Sequence, residues 1–104
     1  MSQLPQPYLD FQQKYPDIWQ AYDQLGAAVH AAGPLDEKSR ALVKLALAVG
    51  AQREGAAHAH VRKLVELGVS ADEIRQVALL AIPTLGFPTT MAALTWIEDI
   101  LRSA

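Results

Sequence analysis

The chain has 104 residues, of which 51% are hydrophobic and only 19% charged, with nine basic and eleven acidic side chains giving a net charge of −2. It contains no cysteine, which excludes disulfides, thiolate metal sites and thiol redox chemistry. No basic run exceeds Arg62 and Lys63, so nucleic acid is not an expected partner.

This length fits a single domain over residues 1–104, with an N-terminal helical arm at 1–35 and a core at 36–101. A chain this short buries only about 60–65% of the surface its unfolded form exposes. Half of its side chains are nevertheless apolar, so some are expected to lie against other copies of the chain. The opening "MSQLPQPYLDFQQKY" lacks the basic-then-apolar pattern of a signal peptide, so a cytoplasmic location is expected.

The apolar periods along the chain are helical and none is strand-like. After Pro5 and Pro7, residues 8–14 form a short amphipathic piece. Pro16 suits a first helical turn, and the helix it opens runs to Gly33 and Pro34. Ile18, Trp19, Tyr22, Leu25 and Val29 mark its expected buried stripe. Asp36 caps the next helix, with Glu37 in the first turn. Within it "ALVKLALAV", residues 41–49, is apolar almost all round except for Lys44, a pattern that needs cover on nearly every side.

A further helix follows Gly50 and stops at Gly68, the left-handed position beyond a helix end. "SADE", Ser70 to Glu73, is a capping box for the next helix, which is expected to run to about Ile82 and end at Pro83. Phe87 and Pro88 start the last one. Residues 77–97 carry no charge and are long enough to span a bilayer. Pro83, Gly86 and Pro88 interrupt them, however, so two short helices joined by a turn are expected and no membrane association. The fold class is all-α, with about six helices.

The densest chemistry is "REGAAHAH", residues 53–60. At about 100° per residue, Ala57, Val61, Leu64 and Val65 form one apolar face of this helix. His60 falls on the apolar side, while Glu54 and His58 sit one turn apart at its margin. His58 and His60 point in nearly opposite directions and cannot share a metal ion. Glu54 and His58 could, at i and i+4, but no third ligand has a motif spacing, so no metal site is expected.

His60 is either a hydrogen-bonded core residue or a partly desolvated general acid or base. Glu54 and His58 are either an exposed helical ion pair or auxiliary catalytic groups. Arg53 either begins the helix or holds an anion. Lys44 reaches solvent along its stem, or pairs with a carboxylate such as Glu54, or binds substrate.

"SRALVKLALAVGAQREGAAHAHVRKLVELGVSADEIRQVALLAIPTLGFPTTMAAL" resembles the core of the carboxymuconolactone decarboxylase and AhpD-like alkylhydroperoxidase superfamily over about two thirds of the chain. The resemblance implies an all-α fold around a helical hairpin, assembled as homo-trimers or homo-hexamers with active sites near subunit contacts. Its peroxidase branch uses a Cys-x-x-Cys pair ahead of a helical relay histidine and a glutamate on the preceding helix. Those positions are Arg53, Ala56, His60 and Ala41 here, so only the histidine is retained. Thiol peroxidase chemistry therefore cannot occur.

The cysteine-less decarboxylase branch acts on a lactone acid without a cofactor. By that likeness His60 would serve as acid and Arg53 would hold the substrate carboxylate, while Glu54 and His58 as further catalytic candidates and Lys44 as a second substrate-binding one are read from the residues alone. The readings are thus a cofactor-free enzyme on a small organic acid, or a non-catalytic oligomeric scaffold or ligand-binding protein. A metal-assisted enzyme completed by a neighbouring subunit is the third.

Overall fold

The computed structural model describes residues 4–103, which form seven helices and no strand. These are α1 (Gln6–Lys14), α2 (Pro16–Ala31), α3 (Glu37–Gly50), α4 (Glu54–Glu66), α5 (Ala71–Leu79), the single turn α6 (Ile82–Leu85) and α7 (Phe87–Leu101). No described helix is long and apolar enough to cross a membrane. The chain falls into two compact units, Met1–Leu35 and Asp36–Ala104.

In the first unit, Pro16 opens α2 at the position where a missing N–H costs nothing. Phe11 packs against Tyr15 and Trp19, and Trp19 against Tyr22, at ring-centroid separations of 5.3–6.5 Å. Pro7, Tyr8, Phe11, Ile18, Trp19 and Tyr22 line an open apolar cleft. The stripe expected to be buried on α2 is not buried: Ile18, Tyr22, Leu25 and Val29 are each about 60% exposed. Amphipathic spacing sets which face is apolar, but two helices cannot enclose that face.

The second unit has a continuous core of Leu45 and Val49 from α3, Ala57, Val61 and Leu64 from α4, Ile74 and Ala78 from α5, and Ala93 and Ile97 from α7. Both expected caps form. The Asp36 carboxylate accepts the Ser39 N–H at 2.7 Å, and Ser70 Oγ accepts the Glu73 N–H at 3.2 Å. Two differences from the sequence reading stand out. α5 ends at Leu79, three residues early, and Pro83 opens α6 rather than ending α5. Proline is as compatible with the first turn of a new helix as with the end of an old one. Helix α3 is also covered on one side only. Leu45 is fully buried, whereas Val43 and Leu47 are 47% and 66% exposed.

Candidate functional site

The α3–α4 hairpin positions the 53–60 cluster. Its turn is a Schellman motif: Gln52 N–H bonds to Val49 O and Arg53 N–H to Ala48 O, both at 3.0 Å. Gln52 holds the left-handed conformation, φ 55°, that glycine usually takes there. This bend delivers Arg53 as the N-cap of α4, exposed and without a side-chain capping bond.

The expected site residues then separate onto two sides of α4. His60 is half-buried, and the Lys44 ammonium on α3 lies close enough to act on it. Burial holds the His60 imidazole below its ordinary pKa, and the Lys44 charge pushes in the same direction. Both effects favour a neutral ring next to a cation. Lys44 is itself half-buried.

Glu54 and His58 lie instead with Asp99 of α7. His58 Nε2 is 3.0 Å from Asp99 Oδ2, and one donor atom from each of the three residues falls within 4.8 Å of the others. Asp99 is the residue the sequence reading missed. It lies 41 positions beyond His58, and only the packing of α7 on α4 brings it there. Its one sequence signal is its place two residues after Ile97, a core position of α7.

Of the positions that carry the superfamily's redox chemistry, Ala41 is buried in the core and Ala56 packs partly buried against it. Arg53, Ala56 and His60 follow one another at spacings of three and four along one side of α4, so the histidine keeps its relation to two positions that cannot react.

The comparisons agree with this architecture. The carboxymuconolactone decarboxylase family model matches residues 16–99. A carboxymuconolactone decarboxylase family protein from Legionella pneumophila, crystallised in its apo form, superposes with a TM-score of 0.76 at 26% identity. That similarity covers 91% of this chain and 88% of the other. No curated protein matches. The family match spans both units and most of the chain, the fold agrees, and the cysteine pair is absent: the chain belongs to the carboxymuconolactone decarboxylase family.

Proposed function

We propose that the chain works as a homo-oligomer, a trimer or hexamer, that binds a small organic acid beside His60 and performs acid–base chemistry on it. Decarboxylation and isomerisation are the two reactions that fit. The observation that supports this reading is the half-buried imidazole of His60 on α4, within electrostatic reach of the Lys44 ammonium on α3. A cation at that place attracts a carboxylate, and an imidazole beside it can move a proton at the adjacent carbon. Arg53, at the start of α4, supplies a second cation for a diacid.

In an isomerisation His60 takes a proton from the carbon next to a carbonyl and returns it one bond away. In a decarboxylation the C–CO2 bond breaks and its electron pair stays on the carbon; the bound carboxylate offsets the Lys44 charge, so the His60 ring takes up a proton from solvent and passes it to that carbon. Neither route calls on a thiol or a redox group. Glu54 and His58, which lie with Asp99, are not needed for either transfer.

Oligomerisation is supported by apolar surface that a lone chain leaves bare. In the first unit this is the α2 stripe. In the second it is Val43, Leu47 and Leu80, of which Val43 and Leu80 line an open groove of about 320 Å³ between α3 and α5. Exposed apolar area of this kind is what subunit contacts cover.

The test is a calorimetric titration with a panel of lactone acids, hydroxy acids and keto acids, followed by turnover assays on those that bind. Binding weakened at least tenfold in both Lys44→Ala and His60→Gln, with turnover abolished in His60→Gln, is the expected result. If no acid binds, or if both variants bind as the parent does, the reading gives way to a non-catalytic scaffold.

A further inference from the structure

Glu54, His58 and Asp99 lie on the opposite side of α4 from His60, and the acid–base reading makes no use of them. We propose that these three side chains form a binding site for a divalent first-row transition cation, with zinc as its reference ion. The three donors come from one chain and therefore do not wait on a neighbouring subunit.

Placement supports the site first. Glu54 and His58 are one helical turn apart, so their side chains rise from the same strip of α4. Asp99 arrives from α7, and the helices that carry these groups are fixed to each other through fully buried Ala57 and Val61 on one side and Ala93 and Ile97 on the other. The metal ligands therefore stand on rigid elements rather than on a loop.

Donors bound at about 2.0–2.2 Å to a common ion lie about 3.0–3.5 Å from each other. The His58 Nε2 to Asp99 Oδ2 separation of 3.0 Å is already of that size, and the three donors lie within 4.8 Å of one another. Glu54 is exposed, and rotation of its side chain can close the remaining gap. His58 is the anchored member, its side chain 19% exposed.

Chemistry selects the ion. One imidazole nitrogen and two carboxylate oxygens favour zinc, manganese or ferrous iron over magnesium and calcium, which prefer oxygen alone. Three protein donors leave a coordination position for water or for an anionic ligand. In the absence of an ion the same geometry is served by a hydrogen bond between His58 and Asp99, so the competing account is a plain bond joining α4 to α7.

The experiment is zinc titration of the metal-stripped, untagged full chain by calorimetry, with thermal unfolding as a second readout. One zinc per chain at micromolar or tighter affinity, and a higher unfolding temperature with zinc, are expected. Glu54→Gln, His58→Gln and Asp99→Asn should each weaken binding at least tenfold, while His30→Gln and His60→Gln leave it unchanged. Glu54→Gln alters only an exposed side chain, so its result stands even if the other variants fold poorly. Binding weaker than millimolar, binding unaffected by Glu54→Gln, or binding lost in His60→Gln would overturn the assignment. The titration is read without any organic acid, so its outcome is separable from that of the acid–base reading.

Discussion

Arg75 Nε donates to Glu98 Oε1 at 2.6 Å and Arg75 Nη2 reaches Glu98 Oε2 at 3.4 Å, a two-pronged contact joining α5 to α7. Arg102 approaches the same carboxylate from one turn along α7. A planar guanidinium fits a carboxylate with two parallel bonds, which fixes the angle between helices better than a single ammonium would. On α5 itself, Glu73 is held from two sides, by Lys38 of α3 and by the Ser70 hydroxyl.

Both carboxylates are therefore held below their ordinary value of 4.5, Glu98 chiefly by Arg75 and Glu73 chiefly by Lys38. A carboxylate whose folded pKa is depressed stabilises the fold above its unfolded pKa. It loses that contribution as pH falls through the folded value. The protein should thus lose stability progressively below about pH 4.5. Glu98→Gln should lower stability at pH 7 and flatten the decline in acid. Urea unfolding midpoints measured from pH 7 to pH 3 on both proteins check this; parallel curves would mean that Glu98 adds nothing.

Ser70 closes a capping box in which its Oγ accepts the Glu73 N–H and also donates to the Glu73 carboxylate at 3.0 Å. Removing a capping hydroxyl typically lowers stability by about 0.5–2 kcal/mol. Ser70→Ala should fall in that range and Ser70→Thr near zero, because threonine keeps both the acceptor for the Glu73 N–H and the donor to its carboxylate. Thermal unfolding of the two variants distinguishes loss of the cap from a general effect of altering the loop.

These caps were legible in the sequence because a cap is local: Ser70 and Glu73, or Asp36 and Ser39, meet within one turn. The helices around them were legible for the same reason. Pro83 was misread because its ring marks a boundary without saying which side the helix lies on. The α2 stripe was misread because periodicity identifies an apolar face but not whether anything covers it. The site was legible in half. His60 and Lys44 both stand out as polar groups on apolar faces, but only the α3–α4 hairpin brings them together. Asp99 is one carboxylate among eleven acidic residues, and nothing local ties it to His58.

Two turns carry left-handed backbone and should respond in opposite directions. Gln52, at φ 55°, occupies a Schellman position where the absence of a Cβ relieves about 1–2 kcal/mol of strain, partly offset by the greater freedom of an unfolded glycine. Gln52→Gly should accordingly raise stability by about 0.5–1 kcal/mol. Gly86, at φ 99° and ψ 160° between α6 and α7, sits in a region open almost only to glycine. Gly86→Ala should destabilise by about 1–3 kcal/mol although the added Cβ would meet nothing nearer than Pro88 at 3.8 Å. Denaturant midpoints shifting in the same direction for both variants would contradict this account.

Leu45 and Leu47 lie two residues apart on α3, the first fully buried and the second 66% exposed. They separate folding from assembly. Leu45→Ala opens a cavity in the core and should lower stability by about 2–5 kcal/mol. Leu47→Glu places a charge where a lone chain already meets water, so helical content by circular dichroism should stay unchanged. If a second copy covers that face, burying an unpaired carboxylate is prohibitive, and the mass measured by light scattering should drop from trimer or hexamer towards the 11.3 kDa of one chain. A parent that runs at one chain's mass, or a Leu47→Glu variant that keeps the parent's larger mass, would show that this face of α3 is not a subunit contact.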